Sequence, residues 1–148
     1  MTVDTYLQLD EQLCFAVYST AHAFNRLYKP RLDALGITYP QYLVMMVLWQ
    51  DEPQTVGSLG ERLLLDSSTL TPLLKRLEAS GFVTRTRSTR DERVVDIALT
   101  PRGRALAEEA RSVPPEIRAA TGETDAELER LRRSILRVRD ALQASNLP

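Results

Sequence analysis

The stretch that most limits what this chain can fold into runs from Thr55 to Leu99, with its centre at Leu65-Asp66-Ser67-Ser68-Thr69-Leu70-Thr71-Pro72-Leu73-Leu74-Lys75-Arg76-Leu77-Glu78. Val56, Leu59, Leu63 and Leu64 recur at helical spacing, and Asp66 interrupts the apolar run as an N-cap for a second helix. That second helix carries Leu70, Leu73, Leu74 and Leu77 on one stripe, which leaves Ser67, Ser68, Thr69, Thr71, Lys75 and Arg76 mostly on outer faces. Ser80-Gly81 ends it. The β-branched and aromatic residues of Phe82-Val83-Thr84 and Val94-Val95-Asp96-Ile97 predict two strands flanking the charged segment Arg85 to Arg93. A helix, a tight turn, a helix and a charged hairpin is the winged-helix order, so the expected class is mainly α with a small β wing.

Charge fits that reading only locally. The 148 residues carry a formal charge of −1, which excludes a uniformly basic nucleic-acid binder. Between Ser67 and Arg93, however, Lys75, Arg76, Arg85, Arg87, Arg90 and Arg93 face only Glu78, Asp91 and Glu92, a local net of +3. Local charge is what concentrates a surface on phosphates, and acidic residues elsewhere keep the rest of a protein off the duplex.

No apolar run approaches the roughly 20 residues that span a bilayer, and the N-terminus has neither a basic leader nor an uninterrupted apolar core. The expectation is a soluble cytoplasmic protein without membrane partners. Its one cysteine, Cys14, cannot form an internal disulfide and is left for an intermolecular bond or redox chemistry. No repeat or low-complexity tract is present.

Outside the reading head, Leu9, Leu13, Ala16, Val17, Ala21, Phe24 and Leu27 predict one long amphipathic helix from Asp4 to Tyr28, with Pro30 as its boundary. A short turn or helix through Arg31 to Leu35 ends at Gly36, and Thr38 with Gln41 forms a capping-box pattern for a helix reaching about Gln50. Tyr42, Leu43, Met45, Met46, Leu48 and Trp49 make that helix apolar on most sides, which places it at the centre of the fold. After the wing, Thr100-Pro101 caps another helix that Pro114-Pro115 stops, and the loop to Gly122 is expected to be exposed. Thr124-Asp125-Ala126-Glu127 is a second capping box, followed by Leu128, Leu131, Ile135, Val138 and Leu142 in steps of three and four. Two readings of this seam stay open: it covers the core, or with the first helix it builds a dimer interface. A dimer is what reading two half-sites about 34 to 36 Å apart requires. The expected organisation is a single domain over residues 1–148. Its dimerisation helices lie at about 4–35 and 101–146, and its winged helix-turn-helix at about 55–99.

Three motifs carry a family resemblance: Leu13-Cys14-Phe15-Ala16-Val17-Tyr18-Ser19, the block Tyr28-Lys29-Pro30 to Thr38-Tyr39-Pro40-Gln41-Tyr42-Leu43, and Leu65-Asp66-Ser67-Ser68-Thr69-Leu70-Thr71-Pro72. In their order and spacing the chain resembles, over nearly its full length, the MarR-family winged-helix regulators. Within them it is similar to the one-cysteine repressors that sense organic hydroperoxides. Arg90-Asp91-Glu92-Arg93 is shared across the wider family and discriminates little.

The resemblance implies that Cys14 is the peroxide sensor and that Tyr28 and Tyr39 hydrogen-bond to its sulfur, with Phe15 and Tyr18 in support. Taken by itself, a lone cysteine is more often an inert buried residue. Fourteen residues along one continuous helix correspond to about 21 Å, so Cys14 and Tyr28 cannot meet within one helix. If the resemblance holds, the tyrosines reach Cys14 from a second copy. The thiolate is the attacking species, and a free thiol is mostly protonated near neutral pH, so hydroxyl donors to sulfur would favour the reactive anion. Phe15 and Val17 supply apolar surroundings suited to organic peroxides. With no second cysteine, the sulfenic acid formed on oxidation would need a small external thiol, or would proceed to sulfinic or sulfonic acid.

On the DNA side, Ser67, Ser68, Thr69 and Thr71 are short donors for phosphates and base edges, while Lys75 and Arg76 suit phosphates. Arg85, Arg87, Arg90 and Arg93 can place a guanidinium in the adjacent minor groove; a merely solvated hairpin is the alternative. Ser68 stands where the resembled motif commonly has Gly, which raises the question of its backbone conformation. His22 lacks the companions a zinc site needs, so no metal or other cofactor is expected.

The leading expectation is a homodimeric repressor that holds a pseudopalindromic operator while Cys14 is reduced and releases it after an organic hydroperoxide oxidises Cys14. Three alternatives stay open. A MarR-type regulator would respond to a small phenolic ligand without thiol chemistry. A one-cysteine thiol peroxidase would turn over peroxide with a thiol reductant. A winged helix used for protein contacts would have little DNA affinity.

Overall fold

The computed structural model describes residues 4–145, so residue 146, the far end of the predicted dimerisation region, lies outside the described residues. Two compact units are present, Met1–Val113 and Pro114–Pro148.

In the first unit, Thr5–Leu7 and Leu9–Glu11 are short 3-10 turns, and the first α-helix, α1, runs Leu13–Leu35. Both predicted boundaries of the opening helix are therefore corrected. Asp4 caps a 3-10 turn by accepting from the Tyr6 N–H, which diverts the start of the chain from the α-helix. At the other end Pro30 is carried inside α1. Packing overrides its missing N–H: Leu32 is 2% exposed, and Gly36, at φ 77°, closes the helix with Ile37 N–H donating to the Leu32 carbonyl.

The capping box at Thr38 and Gln41 is formed, and α2 (Tyr39–Gln50) buries Tyr42, Val44, Met45, Val47 and Leu48, which makes it the central helix. β1 (Gln54–Thr55), which the sequence did not reveal, leads into α3 (Val56–Leu63). Then come α4 (Ser67–Ala79), β2 (Val83–Arg87) and β3 (Val95–Leu99). The sheet is antiparallel with order β1-β3-β2; Gln54 pairs with Ile97, and Val83 with Leu99. Leu70, Leu73, Leu74 and Leu77 are all buried beneath α4, as their stripe predicts.

Thr100 caps α5 (Pro101–Ala110) through the Gly103 N–H. Gly103 is required there: a Cβ would overlap the Phe82 carbonyl oxygen, and Trp49 Nε1 donates to the Gly103 carbonyl at 2.9 Å. Trp49 and Gly103 thereby tie α5 to the central helix.

α5 ends at Ala110, ahead of Pro114 and Pro115, which have no N–H to offer the carbonyls of Ala110 and Arg111. Both prolines lie in the first turn of α6 (Val113–Ala120), where a missing N–H has no helical partner to lose, and the predicted exposed loop is largely this helix. In the second unit, Thr124 accepts from Glu127 N–H at the start of α7 (Asp125–Ala144). Its seam residues Leu131, Ile135, Val138 and Leu142 are 40 to 66% exposed. Among the described residues no helix is long and apolar enough to cross a membrane.

Candidate DNA interface and redox site

The reading surface begins at Asp66. Its Oδ1 accepts from the Thr69 N–H at 2.8 Å and from the Ser68 hydroxyl at 2.7 Å, and these bonds hold its carboxyl below the usual carboxylate range. The cap fixes the first turn of α4 with Ser67, Ser68 and Thr69 exposed. Ser68 sits within the helix and needs no glycine-like backbone; the positive φ of this segment falls instead on Leu64, at 58°, in the turn between α3 and α4. Lys75 and Arg76 lie exposed further along α4, and Thr71 is half-buried.

In the wing, Arg93 pairs with Asp91 at 3.1 Å and Arg87 Nη1 donates to the Glu92 carbonyl at 2.8 Å. Arg87, Arg90 and Arg93 are exposed, whereas Arg85 is half-buried. Arg85 and Arg93 join Thr71, Leu74, Thr55 and Val95 around a groove of about 410 Å³ where α3, α4 and the wing meet. The fold thus brings the predicted helix and wing residues onto neighbouring elements, with Thr55 and Val95 as lining the sequence reading did not single out.

The predicted redox residues are not gathered in one place. Cys14 is exposed within this chain, in the first turn of α1. Phe15 beside it is half-buried, and Tyr18 is 64% exposed with its ring 4.3 Å from that of His22. Tyr28 lies on the same helix, about 21 Å further along at the α-helical rise of 1.5 Å per residue. There it meets Tyr39 from the first turn of α2, with ring centroids 4.8 Å apart, and Tyr42 at 5.8 Å; Tyr42 in turn stacks edge-on to Trp49 at 6.3 Å.

Tyr42 completes this cluster, and its place three residues after Tyr39 on α2 is the sequence signal for it. Burial raises all three phenols. Tyr28, which also feels Tyr39 and Tyr42, is pushed up to about 12. Such phenols keep their protons at neutral pH and can donate to an anion. No group of three or more His, Cys, Asp or Glu suited to a metal occurs among the described residues.

Comparison with known proteins finds transcriptional regulators. A family model described as transcriptional regulator SarA/Rot matches residues 26–110. The chain is 52% identical over 136 residues to the HTH-type transcriptional regulator TtmR of Methylorubrum extorquens, covering 92% of this chain and 70% of TtmR. It is 43% identical over 141 residues to the organic hydroperoxide resistance transcriptional regulator of Bacillus subtilis, covering 95% and 96% of the two chains. Among solved structures, reduced AbfR bound to DNA superposes with a TM-score of 0.76 at 36% identity, covering 96% of this chain and all of that one. Overoxidised AbfR bound to DNA gives 0.74 at 37%, covering 90% and 94%. AbfR is a protein of Staphylococcus epidermidis. With a winged reading head, an exposed lone cysteine and full-length relatives at this identity, the chain belongs to the MarR family of winged-helix transcriptional regulators and is similar to its organic hydroperoxide resistance members.

Proposed function

We propose that this protein is a homodimeric repressor whose DNA binding is controlled by oxidation of Cys14, with organic hydroperoxides as effectors. The observation that carries this reading is the separation of Cys14 from the Tyr28, Tyr39 and Tyr42 cluster along one continuous helix. A sulfur that needs phenolic donors, and donors about 21 Å away on the same rod, meet only when a second copy brings its cluster to the first copy's cysteine. The exposed apolar residues of α1 and α7, among them Leu13, Val17, Phe24, Leu131 and Ile135, support such pairing.

The chemistry runs in two steps. The Cys14 thiolate attacks the terminal peroxide oxygen; an S–O bond forms, the O–O bond breaks, and the alkoxide leaves and takes up a proton. Sulfur is oxidised by two electrons and the peroxide is reduced to an alcohol. A small thiol then displaces water from the sulfenic acid to give a mixed disulfide; without it, more peroxide carries the sulfur to sulfinic or sulfonic acid. Either product puts bulk or charge where two chains meet, and a few kcal/mol of differential stability suffices to change operator occupancy. The reading surface is Ser67, Ser68, Thr69, Thr71, Lys75 and Arg76 on α4 with Arg85, Arg87, Arg90 and Arg93 on the wing.

The test is a mobility-shift titration on a duplex that the wild-type protein selects from a random pool. It is run reduced, with cumene hydroperoxide alone, and with cumene hydroperoxide plus a small thiol. Reduced protein should bind, peroxide should release it, and Cys14→Ser should bind and no longer release. Release of the serine variant by peroxide defeats the sensor assignment. Comparing the two oxidised arms shows which end state releases DNA. Release by salicylate without thiol modification would favour a ligand-responsive regulator, and catalytic turnover of peroxide a thiol peroxidase.

A further inference from the structure

We infer that Glu52 is the positioning residue of the wing: one carboxylate joins the base of the wing to the start of α5 and so sets how the wing is presented to DNA. The inference rests on the DNA-reading role proposed above.

Glu52 lies in the connection between α2 and β1, and β1 is only two residues long, pairing Gln54 with Ile97 and Thr55 with Asp96. Continuing that antiparallel register would set Glu52 opposite Leu99, but Pro53 has no N–H to give and the strand bonding stops at Gln54. The Glu52 side chain supplies the next rung: its Oε2 accepts from the Leu99 N–H at 2.7 Å. Its Oε1 accepts from Arg104 Nε at 2.8 Å and lies at the same distance from Arg104 Nη2. The Leu99 bond, followed by Arg104, holds the Glu52 carboxyl below the usual carboxylate range, so it is charged at neutral pH.

Leu99 is the last residue of β3, and Thr100 caps α5 immediately after it. The Val83–Leu99 pair is also the base of the hairpin that carries Arg85, Arg87, Arg90 and Arg93. β3 passes from the wing into α5 at Leu99, and one carboxylate grips that residue on the side where the sheet has run out. Leu99 is 6% exposed, so removing the carboxylate leaves its N–H short of an acceptor in poor contact with water. The outer edge of β3 would then keep only its two pairs to β1 and lose the rung nearest α5, and the wing's guanidiniums would lose their fixed approach to a groove while α4, built on its own buried leucines, keeps its place.

The experiment uses the full chain and the pool-selected duplex, with two footprints that report different elements. Methylation protection at guanine N7 reads α4 in the major groove, and minor-groove cleavage protection reads the wing. Glu52→Ala should weaken binding by about tenfold or more, lower the salt slope, and lose flanking minor-groove protection while major-groove protection stays. Glu52→Gln and Arg104→Met break the same bond, so each should cost about three- to tenfold, with weakened flanks and no additivity in the double variant. The swap Glu52→Arg with Arg104→Glu restores an ion pair but gives Leu99 no acceptor, so it should behave as Glu52→Ala does.

Unchanged flanks in Glu52→Ala, uniform loss of both footprints, or recovery by the swap would each overturn the inference. If Glu52→Ala does not fold, the Gln and Met variants decide, and wild-type flanks in either refute it. A wild-type protein that selects no duplex would instead refute the DNA-reading role itself.

Discussion

The rings of Tyr28 and Tyr39 lie 4.8 Å apart, joining the C-terminal half of α1 to the first turn of α2. Ten residues separate them in sequence, and what brings them together is the reversal at Gly36 and the capping box that starts α2 directly behind it. Two phenols on different helices thus share one edge of the core, with Tyr42 buried behind them at 3% exposure.

The first prediction follows from the proton that Tyr28 keeps. Burial, then Tyr39 and Tyr42, push it from the ordinary value of 10.0 up to about 12. A group whose folded value is raised holds its proton more tightly in the folded state. Its contribution to stability is therefore complete below pH 10 and is lost as pH rises toward about 12. Denaturant melts over that interval should show a steep alkaline loss in the wild type and a shallower one in Tyr28→Phe. Equal losses would contradict the assignment.

A second prediction concerns reactivity. If the phenols donate to the partner's thiolate, Tyr28→Phe or Tyr39→Phe removes one charge-assisted hydrogen bond, worth about 1.5 to 3 kcal/mol, or about tenfold or more in the rate of Cys14 oxidation. The reduced variants should bind DNA as the wild type does. Rates measured by trapping the sulfenic acid that match the wild type would remove the tyrosines from the sensor.

Where sequence reading succeeded and where it fell short has a common physical basis. The four leucines of α4, the Asp66 cap and the Thr38–Gln41 box are local patterns, and each appears where its spacing places it. Pro30 inside α1, and a helix instead of a loop after Pro114, escape the sequence because a proline's effect depends on packing and on its place in a helix. Glu52 offered no signal, since its partners lie 47 and 52 residues away. Cys14, Tyr28 and Tyr39 were picked out by resemblance. In the folded chain Cys14 is exposed and the two tyrosines stand together with Tyr42, facts no periodicity contains.

Leu64 gives a prediction of opposite sign to most substitutions. It holds φ 58° with a side chain 55% exposed, so a non-glycine residue adopts the left-handed conformation with little burial in return. Its N–H donates to the Gly60 carbonyl at the end of α3, a position where glycine is the usual occupant. Leu64→Gly should raise stability by about 1 kcal/mol in urea melts. A loss of stability would mean that the side chain makes contacts worth more than the backbone relief.

Gly103 gives the reverse case. A Cβ there overlaps the Phe82 carbonyl oxygen and lies 3.3 Å from Leu99 Cδ2, and neither the backbone oxygen nor the packed leucine can yield freely. Gly103→Ala should destabilise by about 2 to 3 kcal/mol and, by moving the start of α5, weaken the Trp49 bond to the Gly103 carbonyl. Urea midpoints with tryptophan fluorescence check both at once, since the chain has a single Trp; a wild-type midpoint would show that α5 shifts without cost.

The last prediction concerns α7. Leu131, Ile135, Val138 and Leu142 are 54, 45, 40 and 66% exposed at steps of four, three and four, a continuous apolar seam on an otherwise charged helix. The charged face is internally compensated: Glu129 accepts from both Arg132 and Arg133 at 2.8 Å, and its carboxyl is held at about 2 by those bonds. Ion pairs on the outside and exposed aliphatic side chains along the seam fit the proposed association of two chains through this helix. A carboxylate at the middle of the seam would have to be buried without a partner, which costs several kcal/mol in an interface. If the proposed dimer is held along this seam, Ile135→Glu should shift it toward monomer in sedimentation equilibrium while leaving its helical content intact. Because binding at two half-sites gains affinity by making the second contact intramolecular, the same variant should lose operator affinity by about 100-fold or more. If Ile135→Glu stays dimeric and binds DNA unchanged, α7 does not hold the two chains together, and the cross-chain assembly of Cys14 with Tyr28 and Tyr39 must rest on α1 alone.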